Sequence, residues 1–213
     1  MIKPVETGVM PMHQEFEGDT SKLRSILPKG YNQDFNTGYQ FAEPLAPLEA
    51  SRLARQSIDF NLIKNRYQMI ANTFECILVE CVGGVMVPLV KKKTIRDLIH
   101  FLDLPCIIIS RTMLGAVNHT LLTIEALSKK KVEVLAIVLN NPTPPSASKV
   151  EQLQIKSTIK LIQELSGVPV VGPLPYEKKI ETRKSLVEKN YNSIPDFSNK
   201  ILFAVSTNFR RLI

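Results

Sequence analysis

The sequence has no tryptophan, and only three cysteines and three histidines among its 213 residues. Cys76, Cys81 and Cys106 are odd in number and lack metal-ligand spacing. That excludes a complete disulfide framework and leaves no zinc constellation to assemble with His13, His100 and His119. Lone thiols in apolar surroundings read as buried cysteines of a reducing compartment. No apolar run approaches the roughly 20 residues that a membrane-spanning helix needs. Met1 is followed by Ile-Lys-Pro rather than by a basic segment and a long apolar run, so the reading is a cytoplasmic protein with no membrane association. The net charge is +7 and the pI about 9.3. The lysines cluster at 91–93, 129–131 and 178–179, without interleaved Phe or Tyr. Such clusters read as solvated element ends; no nucleic-acid partner is expected.

What the chain does have is an apolar run ending in a carboxylate and two glycines, Ile77-Leu-Val-Glu-Cys-Val-Gly-Gly84. An apolar run without polar alternation predicts a parallel strand covered on both faces. In open α/β sheets the ligand crevice lies at the carboxyl ends of the strands. Glu80 there, beside glycines that let backbone approach a ligand, suits a nucleotide and its magnesium. The alternative from these residues alone is a solvated glutamate and a tight Gly-Gly turn.

Similar runs recur along the chain. Ile2 to Val5 reads as the tail of a strand, with Lys3 and Thr7 near its end. Asp19 is a plausible N-cap for a short helix to Leu27, a role compatible with facing a metal. Residues 28–47 read as irregular. Apolar spacing predicts helices over 48–56, 62–73 and 94–102. Strands are expected over 74–80, 105–109, 132–139 and 167–171. Asn118 reads as the N-cap of a helix over 119–128. Further helices are expected from Ser148 to about Leu165 and from Asp196 to about Phe209. Strands alternating with helices predict a parallel α/β sheet with helices on both faces and the informative loops on one edge.

Five segments in order carry a resemblance: Lys3-Pro-Val-Glu-Thr-Gly8, Phe41-Ala-Glu-Pro44, Val79-Glu-Cys-Val-Gly-Gly84 with Pro88-Leu89, Arg111-Thr-Met-Leu-Gly-Ala-Val-Asn-His-Thr-Leu-Leu-Thr123, and Asn140 with Gly172-Pro-Leu-Pro175. Together they resemble dethiobiotin synthetase, over nearly the whole of residues 1–213. The resemblance implies a single domain with a P-loop-NTPase-like fold, working as a homodimer with ATP and Mg2+. It implies closure of the ureido ring of dethiobiotin from 7,8-diaminopelargonate and CO2, through a carbamate that ATP phosphorylates.

The resemblance also implies roles. Lys3 would be the catalytic lysine, its ammonium neutralising charge on the transferring phosphoryl group. Thr7, Leu114, Gly115 and Asn118 would bind substrate, the last three receiving its carboxylate from the neighbouring subunit. Asp19 and Glu80 would be magnesium ligands. Glu80, Cys81, Val82, Gly83, Asn140, Asn141 and Pro175 would line the nucleotide, with Asn140 reading adenine through its amide.

The departures are specific. None of the nine glycines starts a G-x-x-x-x-G-K-[ST] phosphate loop, which in the family precedes the Lys-Pro-Val segment. The expectation is a recorded start that is too late, omitting a first strand, the loop and a helix of roughly 30 residues. Apolar edges would then be exposed and the 213-residue form only marginally stable. Cys81 stands where the family usually has glycine, and Met113 where glycine or lysine is common. Competing readings are a non-catalytic interaction or regulatory domain of the same fold, and another ATP-dependent amidoligase. Retention of Lys3, Thr7, Asp19 and Glu80 favours the synthetase.

Overall fold

A computed structural model describes residues 1–9, 18–21, 37–74, 77–141, 144, 148–174 and 176. The chain divides into two compact units, Met1–Asp103 and Leu104–Ile213.

In the first unit, β1 (Lys3–Thr7) pairs in parallel with β2 (Thr37–Phe41). Strand β2 lies in the segment expected to be irregular. Its driving force is the pair Tyr39 and Phe41, two residues apart, both buried and stacked with ring centroids 6.3 Å apart. Burying an aromatic of that size contributes on the order of 2–3 kcal/mol. Gly38 lets the two strands approach, since a Cβ built there would lie 1.7 Å from the Pro4 carbonyl oxygen. On the other side of β1, Ile2 forms a parallel bridge to Val79. The Ile2 amide donates to the Leu78 carbonyl and Glu80 donates to the Ile2 carbonyl, both at 2.8 Å. The expected strand over 74–80 is thus reduced, among the described residues, to this one bridge.

Helices α1 (Pro47–Leu53) and α2 (Phe60–Ala71) follow. Asp59 starts α2 by accepting from the Asn61 amide at 2.8 Å. A short antiparallel pair, β3 (Pro88–Val90) and β4 (Lys93–Thr94), leads into α3 (Ile95–Leu102). Asp97 accepts from the Thr94 backbone and hydroxyl at 2.7 and 2.8 Å, a capping box that fixes where α3 begins. Val5, Phe41, Leu89, Ile95 and Leu98 are among the fully buried side chains of this unit.

In the second unit, β5 (Cys106–Arg111), β6 (Val134–Asn140) and β7 (Val170–Leu174) form a parallel sheet in that order. Crossovers α4 (Ala116–Ser128) and α5 (Lys149–Ser166) connect them and pack on each other. The central strand is buried without interruption from Leu135 to Leu139, as its unalternated apolar run requires. Strand β5 lies at one edge of this sheet, and Ile109 on it is 65 % exposed. Leu78 is 54 % exposed. Neither run is therefore covered on both faces as expected. The expected helix over 196–209 lies outside the described residues.

Helix α4 begins earlier than expected. Its N-cap is Gly115 in left-handed backbone (φ 90°), and Asn118 lies within the first turn. A residue without Cβ reverses the chain there at little cost, so no side-chain cap at Asn118 is needed.

Candidate functional site

The site in the first unit is built on β1. Proline at position 4 fixes the strand entry, and the pairing on both sides of β1 holds Lys3 at its start. Lys3 is 3 % exposed, far from the frayed terminus its sequence position would suggest. Its Nζ donates to Asp19 Oδ2 at 2.7 Å and to Glu80 Oε1 at 3.0 Å. Both carboxylates stay about half exposed. Three residues separated by 16 and 77 positions thus meet at one cation.

Burial disfavours the charged lysine, but its hydrogen bonds to Asp19 and Glu80, and their negative charges, outweigh it. The net effect holds the Lys3 ammonium above the usual lysine value of 10.5. The group is therefore a fixed positive charge at neutral pH. It suits stabilisation of developing negative charge, not proton abstraction.

The two carboxylates are hard oxygen donors already gathered around a cation, which is what a magnesium site asks of protein side chains. Among the described residues no cluster of three or more His, Cys, Asp or Glu occurs. Asp19 and Glu80 would be the protein's share, and phosphate oxygens and water the rest, as magnesium prefers.

Behind this centre lies a second, buried carboxylate. Glu6, 4 % exposed, accepts from the Thr20 amide at 3.2 Å, the Thr20 hydroxyl at 2.5 Å and Gln40 Nε2 at 3.1 Å. Thr20 is itself 2 % exposed. Neither residue was a candidate from sequence. The available signal was an acid placed inside an apolar strand, which cannot stay buried without partners.

The remaining candidates of this unit are divided between the far end of β1 and the residues directly after Glu80. Thr7 is the last residue of β1 and half-buried. Cys81 and Val82 are half-buried and lead to Gly83, whose φ of +71° needs glycine.

The second unit holds the other candidates. Leu114 is 92 % exposed. Gly115 caps α4, and Asn118 is exposed on its first turn. Asn140 ends β6 opposite Arg111 of β5 and Leu174 of β7. Asn141 follows; its amide donates to the Leu174 carbonyl at 3.3 Å, and its side-chain oxygen accepts from the buried Thr112 hydroxyl at 3.3 Å. Thr112 was not foreseen as an orienter of that side chain. Pro175 lies outside the described residues. Burial pushes the thiol of Cys106, in β5, up to about 11, which disfavours the thiolate.

Residues 1–184 match the family model described as an AAA domain. The chain is 35 % identical over 191 residues to the ATP-dependent dethiobiotin synthetase BioD of Thermodesulfovibrio yellowstonii, covering 86 % of this chain and 78 % of that protein. It is 36 % identical to the protein of the same name from Methanococcus vannielii, over 80 % of this chain and 76 % of the relative. With that of Bacillus velezensis the identity is 31 %, over 93 % and 83 %.

Proposed function

The chain belongs to the dethiobiotin synthetase family, and on that premise we propose that it catalyses ATP-dependent synthesis of dethiobiotin in biotin biosynthesis. Its substrates are 7,8-diaminopelargonate and CO2. The observation that supports the reading best is Lys3 buried between Asp19 and Glu80, a charged centre at the first residue of β1 rather than near its carboxyl end as the sequence led us to expect.

The chemistry runs in three steps. One amine of the diamine captures CO2 and releases a proton, giving a carbamate. A carbamate oxygen attacks the γ-phosphorus of ATP, and ADP leaves. The second amine attacks the activated carbonyl carbon and gives up a proton, phosphate leaves, and the ring is closed. Negative charge accumulates on the carbamate and on the phosphoryl oxygens. Lys3, held cationic by its neighbours, is the group that offsets it, at a site partly withdrawn from water. Magnesium, held by Asp19 and Glu80, would neutralise charge on the nucleotide's phosphates.

Thr7, Leu114, Gly115 and Asn118 are assigned to the substrate. The exposure of Leu114 and the N-terminus of α4 at Gly115 support contact with the carboxylate of the substrate held by the neighbouring subunit of a homodimer. Residues 80–83, Asn140, Asn141 and Pro175 are assigned to the nucleotide, Asn140 to its base. The proposed location is the cytoplasm. No described helix is long and apolar enough to cross a membrane.

The test is complementation. A bacterium that cannot convert 7,8-diaminopelargonate to dethiobiotin should grow without biotin when it expresses this chain. It should not grow when it expresses the K3M variant. Failure of the unaltered chain, expressed in soluble form, would count against the assignment.

A further inference from the structure

Glu6 accepts from Thr20 and Gln40, and at 4 % exposed it is far more enclosed than the half-exposed carboxylates of Asp19 and Glu80. We propose that Glu6 is a positioning residue, which docks the turn carrying Asp19 onto β1 and so delivers the Asp19 carboxylate to Lys3 and to the nucleotide-bound metal. This rests on the assignment of Asp19 as a metal ligand made above.

Four observations carry it. Residues 19–21 are helical, so Asp19 and Thr20 belong to one turn. Thr20 gives both its amide and its hydroxyl to the Glu6 carboxylate, a two-point attachment that fixes the turn's orientation as well as its distance. Its neighbour Asp19 then reaches Lys3 Nζ at 2.7 Å. Lys3 and Glu6 stand three residues apart on β1, so one strand holds the turn by one residue and receives its carboxylate on the other. Gly18 completes the device: a Cβ built there would lie 2.6 Å from Glu6 Oε1, so the chain enters the turn directly over the carboxylate.

The third hydrogen bond comes from Gln40 of β2, the neighbouring strand. It reaches Oε2, the same oxygen that accepts from the Thr20 hydroxyl, so β2 and the turn are tied to one carboxylate. A buried carboxylate with three donors is a well-satisfied group, and a costly one if they are withdrawn. Groups that orient a ligating carboxylate act on metal affinity at one remove.

The experiment uses the full chain and Mn2+ in the presence of ATP as the probe, read by electron paramagnetic resonance. The proteins are the unaltered chain, E6A, E6Q, D19N and the E6A/D19N double variant. Amide hydrogen exchange at Thr20 is read on the same samples. E6A is expected to weaken Mn2+ binding roughly 10- to 100-fold, the range for groups that orient metal ligands. D19N is expected to weaken it as much, and the double variant no further. E6Q keeps a carbonyl acceptor for the Thr20 amide and should fall between E6A and the unaltered chain, which also covers the case where E6A does not fold. Thr20 should be protected in the unaltered chain and lose protection in E6A.

Unaltered metal binding in E6A and E6Q alongside a loss in D19N would overturn the positioning role and leave the magnesium assignment standing. Additive losses in the double variant would overturn it too. An unprotected Thr20 amide in the unaltered chain would overturn the docking itself. No effect of D19N would sink the assignment of Asp19, and the positioning proposal with it.

Discussion

Lys3 Nζ lies 2.7 Å from Asp19 Oδ2, the lysine side chain 4 % exposed and the carboxylate 52 %. The asymmetry has a consequence. The lysine depends on its partners to remain charged inside the protein, whereas the carboxylate can meet a cation arriving from solvent without being unburied. The pair is thus built around a resident positive charge with an accessible negative neighbour.

Replacing that charge should abolish the activity and spare the fold. K3M keeps the length of the buried stem and removes the ammonium. Loss of a preorganised charge at a reacting centre typically lowers kcat by roughly 100- to 1,000-fold. The expected result is a loss of at least that order in dethiobiotin formation, with an unchanged far-ultraviolet circular dichroism spectrum. A K3M protein with near-normal turnover would remove Lys3 from the chemistry.

The same residue fixes an alkaline limit. Its pKa is raised on folding, so the stability it contributes is fully present below the ordinary lysine value of 10.5. That contribution is lost as pH rises through the higher value of the folded state. The melting temperature of the unaltered chain relative to K3M should therefore be constant up to about pH 10 and narrow above it. A gap that closes between pH 7 and 9 would mean that the ammonium is not held as described.

Gly38 should tolerate no side chain. A Cβ there would meet the Pro4 carbonyl oxygen, a backbone atom, at 1.7 Å, so G38A must push β1 and β2 apart. Since β1 carries Lys3, the substitution should cost more than about 3 kcal/mol and lower both soluble yield and activity. Thermal unfolding of G38A checks it; a melting temperature within a degree or two of the unaltered chain would contradict the pairing.

Asn140 should set nucleotide choice more than rate. A single hydrogen bond to a base is worth roughly 0.5–1.5 kcal/mol net. N140A should raise the KM for ATP from a few-fold to about tenfold, reduce the preference for ATP over GTP, and leave kcat nearly intact. An unchanged preference would place base recognition elsewhere.

Cys106 should be inert in the native protein. With a thiol pushed up to about 11, only about one molecule in a thousand carries the thiolate at pH 8. Peptide mapping after brief iodoacetamide treatment should find Cys106 unmodified in the folded chain and modified after denaturation.

These residues also show how far the sequence could be read. The strand expected over 132–139 is β6, buried from Leu135 to Leu139, because an unalternated apolar run has few other uses; that it is the middle strand of its sheet comes from the structure. Lys3 and Glu80 stand in segments that carry the resemblance and Asp19 was implied by it, and the structure brings both carboxylates to the Lys3 ammonium. Glu6 lies within the Lys3–Gly8 segment, but what makes it important is Thr20, 14 residues away, and Gln40, 34 residues away. No local pattern encodes that meeting. Strand β2 was missed because Gly38 and its polar neighbours mimic a loop, while Tyr39 and Phe41 take their partners from β1. The start of α4 was misplaced by three residues because Asn118 is a good cap by propensity, and Gly115 is a better one by backbone geometry.

The central claim is the ring-closing reaction, and its most direct test follows the carbon. Purified chain is incubated with 7,8-diaminopelargonate, 13C-labelled bicarbonate, Mg2+ and ATP, and the products are read by mass spectrometry. The account predicts dethiobiotin carrying one 13C atom at the ureido carbon, one ADP and one phosphate per ring formed, and none of these from K3M. ATP left intact and no labelled dethiobiotin, with a folded protein in the tube, would contradict it.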